Sequence, residues 1–416
     1  MTSSAIESED GCDRAAERQR IASIIGRIIQ ACPERRSTSA QERRAQEMMA
    51  PELSGAGLQC SWHPFTFNDN LHANMALHFG LGVLGTAISG LFPAAGLALH
   101  AGAAASYWAD GARRGYFLRR LLKFKEAANL VAVAPARGPV RLRLVFIAHA
   151  DAGFTGWVFD PRVIRGAEGG PGILKRPLAL ATAATGALAG FDALRMVLGP
   201  LALPLRPLEW LFTVPAAITC VLNAQIILKD TVVPGANDDL SGVEALPVLA
   251  RRLLMKVPDG VELSFVVSAC EEAFLGGADA LAREMEGTWE KDRTVVIALD
   301  ALTNGDLHFI GVEGEVSSFA SPRWLRETAA EVAARMDLPG GLKTIDPPAG
   351  GSDAGPFLAR GYDALALVCV DPALGAPRHY HQPGDTLENL DMDQLMRSID
   401  FCEALAREII WRRLGR

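Results

Sequence analysis

The chain has 416 residues and a formal net charge of -7, with a pI near 5.7. A protein that works mainly by gripping a phosphate backbone needs a basic excess, so nucleic-acid binding is excluded as the main activity. Hydrophobic residues make up 49% and mean hydropathy is +0.15, high for a soluble enzyme, so some segments are expected to be more apolar than a core requires.

The length could hold two or three average domains, and a single large α/β domain carrying insertions fits it equally well. The seven cysteines (Cys12, Cys32, Cys60, Cys220, Cys270, Cys369 and Cys402) are scattered and contain no Cys-x-x-Cys pair, which argues against a disulfide framework or a cysteine-ligated metal. The first twenty residues are polar and acidic where a secretory signal needs a basic start and an apolar run, so a cytoplasmic start is expected.

Ile21, Ile24, Ile25, Ile28 and Ile29 recur at helical spacing and predict an amphipathic helix over residues 14–32. A second helix is expected from about Ser39 to Leu53, closing near Gly55, and LQCSWHPFTF (58–67) reads as a strand. The pattern then breaks: between Asp69 and Asp110 there is no Asp, Glu, Lys or Arg. The stretch exceeds the roughly 20 residues of one span and fits two helices of about 17 to 18 residues, each about 26 Å long, so a helical hairpin is expected over 70–112. RRGYFLRRLLKFK (113–125) follows as a basic flank of the kind found at cytoplasmic membrane ends.

Strands are expected next over 129–135 and 141–151. A second apolar region lies between Lys175 and Lys229. Its second half, Trp210 to Leu228, reads as a membrane span; its first half, Pro177 to Leu205, carries Asp192 and Arg195 and is weaker. Arg162, Arg165, Lys175, Arg176 and Lys229 flank it, so both insertions are expected to start and end on the cytoplasmic side. The alternative is a pair of buried hairpins forming a lid or dimer interface in a soluble cytoplasmic protein.

The remainder alternates helix and strand to a last helix from about Met392 to Leu414. It predicts a mixed, mainly parallel central sheet flanked by helices. The expected division is 1–69, N-terminal helices and first strand; 70–112, first hairpin; 113–151, basic flank and strands; 152–233, second apolar insertion; and 234–416, the rest of the catalytic domain. If the strands ending near Phe67, starting near Asn129 and ending at His149 form an antiparallel meander, both insertions emerge beside the strand ends that carry the chemistry.

Those ends are acidic or imidazole: AHAD, ACEE, ALDA and, after the last strand, HYHQPGD. In open α/β sheets, sites form at the C-terminal ends of strands. Residues two apart in a strand face the same way, so His149 can bind a metal while Asp151 supports its surroundings. Glu271 and Glu272 are adjacent and face differently, so one can bind metal while the other addresses a water.

Taken in order, AHAD (148–151), PGANDDLSG (234–242), CEEAFLGG (270–277), ALD (298–300), GGSDAGPF (350–357) and YHQPGDTLENLD (380–391) resemble the co-catalytic zinc aminopeptidases of metallopeptidase family 28, whose fold is the zinc-dependent exopeptidase type. The resemblance runs from about Ile21 to the C-terminus, apart from the apolar insertions. It implies two zinc ions, one held by His149 and Asp300, the other by Glu272 and His381, with Asp238 bridging. It further implies a metal-bridging hydroxide activated by Glu271 as general base, and Tyr380 as oxyanion stabiliser. The implied substrate is a peptide with a free N-terminus.

Asp239, Ser352, Asp353 and Asp385 read equally as supports of the site or as turn caps. His379 is expected outside the metal site, and His72, His78 and His100 are expected to be packing residues. Many relatives carry His where this chain has Ala354, a departure that bears on substrate contacts. Two other functions remain open: a glutaminyl-cyclase-like acyl transferase with one zinc, and a catalytically silent membrane scaffold.

Overall fold

A computed structural model describes residues 3–168, 176–347 and 350–415. Lys175, one of the expected basic flanks, lies outside the described residues. Two helices open the chain, α1 (Ser3–Ala31) and α2 (Ala40–Gly55). The first begins well before residue 14, and Ile21, Ile24, Ile25 and Ile28 are buried. Ser39 caps α2 by accepting the Glu42 amide.

The strands are β1 (Gln59–Asn68), β2 (Phe124–Ala134), β3 (Leu142–His149), β4 (Val261–Ser268), β5 (Thr294–Asp300), β6 (Asp306–Ile310), β7 (Val312–Glu313), β8 (Phe319–Ala320), β9 (Lys343–Ile345) and β10 (Asp363–Val370). The main sheet has eight strands in the order β1-β2-β4-β3-β5-β10-β6-β9. Its central run β4-β3-β5-β10 is parallel, β1 and β2 pair antiparallel with their neighbours, and β6 pairs antiparallel with β10 and parallel with β9. Strands β6 to β9 were not expected; at five residues or fewer they are too short to display a period.

The expected meander is corrected by β4, which inserts between β2 and β3. Its last six residues are all buried, as suits a strand covered on both faces at the centre of a sheet. Because β2 runs antiparallel to β4, the end of β1 and the start of β2 still lie at the edge where β3, β4 and β5 terminate. His149 sits opposite Ser268 in that register, and Asp300 opposite Val368.

Two helical layers cover the sheet. One face carries α1, α2, α8 (Leu240–Leu254), α10 (Arg323–Met336) and α12 (Met392–Leu414); the other carries α9 (Gly276–Met285) and α11 (Gly355–Ala359).

The apolar insertions form α3 (Leu71–Ser89) and α4 (Pro93–Gly111), then α6 (Pro177–Leu198) and α7 (Arg206–Lys229) after the short α5 (Pro161–Glu168). They join as one four-helix bundle: α3 packs on α4 and α7, and α6 packs on α4 and α7. Helices of 19 to 24 residues are about 28 to 36 Å long. Two stretches, Leu71–Ser89 and Pro177–Lys229, are long and apolar enough to cross a membrane.

The bundle encloses apolar side chains, among them Met75, Phe79, Tyr107 and Leu178, together with a buried polar cluster, and its outer face is apolar. His100 Nδ1 lies 2.6 Å from Asp192 Oδ2, Arg195 pairs with Glu209, and Arg206 Nη1 lies 2.9 Å from Glu209 Oε2, with Ser89 and Thr86 completing the cluster. His72, His78 and His100 are buried in the bundle, as expected of packing residues, and each also has a polar partner: Asn223, Ser106 and Asp192 respectively. On the outside, Leu91, Val197, Leu201 and Leu228 are 82%, 81%, 79% and 86% exposed.

Candidate active site

The register of β3, β4 and β5 delivers the site to one edge of the sheet. His149, the last residue of β3, is buried, and its Nδ1 donates to the Asp151 carbonyl at 3.1 Å. Its Nε2 is thereby left facing Asp238 Oδ1 at 3.2 Å, with Glu271 Oε2 at 3.8 Å. His381 repeats the arrangement: Nδ1 donates to the Phe154 carbonyl at 3.2 Å, and Nε2 faces Glu272 Oε1 at 3.3 Å and Asp238 Oδ2 at 3.5 Å. The two carboxylate oxygens of Asp238 therefore face one imidazole each. Potential ligand atoms of His149, Asp238 and Asp300 lie within 4.8 Å of one another, as do those of Asp238, Glu272 and His381.

Acidic side chains around this centre hold backbone rather than sites of their own. Asp239 accepts the Gly242 amide at the start of α8, the Ala301 amide after β5 and the His149 amide at the end of β3, stitching three segments together. Asp385 accepts the amides of Asn237 and Asp238 at 2.7 and 3.1 Å. Asp151, fully buried, accepts the amides of Glu271 and Glu272 at 3.1 and 3.0 Å and the Ser37 hydroxyl at 2.6 Å. It thus sets the turn that sends the two glutamates in different directions, a wider task than supporting His149. Asp353 is bonded to Ser268, and Ser352 donates to Glu313.

Cys270, Ala301 and His381 all have positive φ without being glycine (59°, 48° and 52°), and all adjoin the site. Such backbone costs about 1–3 kcal/mol per residue and persists only where surroundings over-determine it. Here Glu42 accepts the Cys270 amide and Asp239 the Ala301 amide.

Five residues that build the site were missed by sequence reasoning: Arg35, Ser37, Glu42, Gly153 and Phe159. Arg35 is completely buried and donates to the carbonyls of Ala150, Pro234 and Gly235, joining the two loops that carry Asp151 and Asp238. A Cβ on Gly153 would stand 2.5 Å from His381 Cε1 and 2.6 Å from Glu272 Oε1. The Phe159 ring lies 4.2 Å from His381, centroid to centroid, and the Tyr380 ring 4.3 Å. Only Glu42 carried a signal, since Ser39-x-x-Glu42 is a capping-box pattern. His379 is half-buried and belongs to neither ligand group. Ala354 is buried in the apolar cluster with Phe357.

The electrostatics express an excess of negative charge in a buried place. Burial pushes Asp300 up to about 8, reinforced by Asp238, and raises Glu271 well above the usual carboxylate range. Burial would lower His381, but Glu272 and Asp238 hold it up at about 9. Burial also favours neutral Asp238, yet the two histidines keep it below its ordinary value.

The residues present fit a pair of divalent cations. Each imidazole commits Nδ1 to a carbonyl and turns the lone pair of Nε2 toward carboxylate oxygens, an arrangement that a cation satisfies. Glu272 Oε1 is buried without a hydrogen-bond partner. A donor set of imidazole nitrogen and carboxylate oxygen suits zinc.

Comparison with known proteins agrees with this chemistry. Residues 224–406 match Peptidase family M28. The fold aligns with a zinc aminopeptidase from Bacillus subtilis at 14% identity, over 94% of this chain and 95% of that one, with a TM-score of 0.56. An aminopeptidase from Aneurinibacillus sp. strain AM-1 aligns at 14% identity, over 94% and 93%, with a TM-score of 0.53. A glutaminyl cyclase from an Acidobacteriales bacterium aligns at 14%, over 95% and 94%, with a TM-score of 0.52. At such identities the likeness is one of fold. Among curated protein sequences none matches. The stretch that matches Peptidase family M28, residues 224–406, contains Asp238, Glu271, Glu272, Asp300 and His381, and the mixed α/β fold is similar to that of zinc aminopeptidases and glutaminyl cyclases.

Proposed function

We propose that the protein is a zinc-dependent aminopeptidase with two metal ions. His149 and Asp300 hold one ion, Glu272 and His381 the other, and Asp238 bridges them. The observation that carries this reading is the placement of the two Asp238 oxygens, 3.2 Å from His149 Nε2 and 3.5 Å from His381 Nε2. Zinc bound there supplies Lewis acidity, polarising the scissile carbonyl and acidifying a water. Glu271 stands beside the cluster but outside both ligand groups, as a general base should. It takes the proton of the attacking water and returns it to the leaving amine. Asp151 fixes its backbone, and Tyr380, beside His381, donates to the oxyanion. The substrate is a peptide with a free N-terminus.

The four-helix bundle anchors the protein in the cytoplasmic membrane, with the catalytic domain on the cytoplasmic side. Exposed Arg114, Arg120, Lys123, Arg162, Arg165 and Lys229 at the catalytic end of the bundle support that orientation. Arg119, expected among this basic flank, is instead fully buried on Asp110 at 2.8 Å. Extraction of membranes with carbonate should leave the protein in the pellet; its release would sink the anchoring.

The catalytic reading is tested by metal analysis coupled to a panel of aminoacyl and blocked peptides. Glu271→Gln should reduce turnover by about 10²- to 10⁴-fold with both zinc ions retained. Turnover at the wild-type rate would refute the base. Fold likeness to glutaminyl cyclases supports a second reading, acyl transfer with one zinc. A stoichiometry of one and cyclisation of a glutaminyl peptide would favour it.

A further inference from the structure

The bundle and the active site share a wall. Helix α3 begins three residues after β1 ends at the site edge of the sheet, and the chain leaving α7 returns at once to the site loop, where Thr155 N donates to the Thr231 carbonyl at 3.0 Å. His72, in the first turn of α3, is bonded to Asn223 of α7 at 2.7 Å. Its ring meets the edges of Phe154 and Phe159 at 5.9 and 6.5 Å, and the Phe159 ring lies 4.2 Å from His381. Two ring-to-ring steps thus separate the base of the bundle from a proposed metal ligand.

The exposed residues at this junction are those of a membrane–water boundary. Trp157, on the site loop with its amide bonded to Gln225 of α7, is 61% exposed. Phe117 and Leu121 are exposed between Arg114, Arg120 and Lys123. Tryptophan and basic residues at the end of an apolar bundle mark the headgroup layer.

We infer that the active site works at the bilayer surface on tethered chains: its substrate class is the free N-terminus of a polypeptide held to the same membrane by a lipid or an inserted segment. This rests on the aminopeptidase and membrane readings above. Water adds across the first peptide bond; the C–N bond breaks, the carbonyl carbon keeps the hydroxyl, and the amine leaves with the proton delivered by Glu271. The geometry also sets a reach. The two ring steps, 6.5 and 4.2 Å, leave the base of the bundle and His381 at most about 11 Å apart, which about three extended residues span. Tethering raises effective concentration, an advantage that falls as the linker outgrows the distance it must cross.

The test uses the full-length protein in vesicles of phosphatidylcholine and phosphatidylglycerol. Two peptides share an N-terminal sequence; one ends in a palmitoylated lysine, the other in plain lysine, and linkers of increasing length join sequence and anchor. Relative to a soluble aminopeptidase acting on the same pair, the tethered peptide should be cleaved at least about tenfold faster, with the advantage declining as the linker lengthens and vanishing in detergent. Equal cleavage of both peptides would overturn the inference and leave the aminopeptidase reading standing. Cleavage of neither by the zinc-loaded protein would overturn both.

Discussion

The sheet domain and the helical bundle place charge in opposite ways. In the sheet domain the buried mass is aliphatic, and the buried acids gather at one edge, where Asp238, Glu272 and Asp300 face two imidazoles. In the bundle the outer surface is aliphatic, and the buried charges, which include Arg195 in the last turn of α6 and Glu209 in the first turn of α7, are paired with one another: Arg195 with Glu209, His100 with Asp192. Under the proposed membrane anchoring, the contrast follows from the solvent each part would meet. A domain in water hides its apolar groups, whereas helices in hydrocarbon gain nothing by hiding them and must instead shelter polar groups from lipid. Under the proposed function the lesson is functional: the acids at the sheet edge converge where they would hold cations, and the buried charges of the bundle are paired with one another.

The comparison is broken most sharply at Asp238. Asp238→Ala should abolish turnover and deplete both zinc ions, because it removes the carboxylate that faces both imidazoles. Metal content by atomic emission, with circular dichroism to verify the fold, decides the matter. Full zinc occupancy would refute the bridge.

In the bundle the equivalent cut should harm structure and spare chemistry. Arg195→Met leaves Asp192 with His100 alone and Glu209 with Arg206 alone, in a buried place. Breaking a buried pair on one side costs about 3–5 kcal/mol, and replacing both partners by apolar residues is often close to neutral. Thermal unfolding in detergent should therefore drop for Arg195→Met and recover when Glu209→Leu is added, with zinc content unchanged throughout. An Arg195→Met protein as stable as wild type would remove the network from any account of the bundle.

What could be read in advance divides along the same line. Strand ends are local: AHAD, ACEE and ALDA each announce a reactive terminus, and the helical periods of α1, α8 and α12 are plain in the chain. Pairing is not local. Nothing in the period of β4 says that it separates β2 from β3, and nothing in two apolar hairpins says that they pack together. His100 looked like a packing residue because its partner, Asp192, is 92 positions away. Arg35 and Ser37 were equally opaque: in a polar turn between helices they look solvated, and only the fold brings them beneath the loops of Asp151 and Asp238. Gly153 was one glycine among 40 until His381 stood against it.

Glu244 offers the smallest effect and the finest test of the contrast, because it is a buried acid of the sheet domain that belongs to neither pattern. It lies on α8, fully enclosed, and its Oε1 has no hydrogen-bond partner. Burial raises it well above the ordinary carboxylate range, an effect that Glu52 reinforces and that Arg251, Arg20 and Arg27 only partly offset. A carboxyl whose affinity for protons is higher in the folded state than in the unfolded chain costs nothing below its unfolded value, near 4.5, and weakens the fold as pH rises toward the folded one. Glu244→Gln removes that ionisation. The variant should exceed wild type by about 1–3 kcal/mol at pH 8, the scale of an unsatisfied buried polar group, and match it closely near pH 4. Denaturant unfolding at the two pH values measures the difference. A gain that is the same at both would assign the effect to packing rather than charge. A loss at pH 8 would mean that the ionised carboxylate is held by the nearby arginines and that the sheet domain, like the bundle, can keep a buried charge by pairing it.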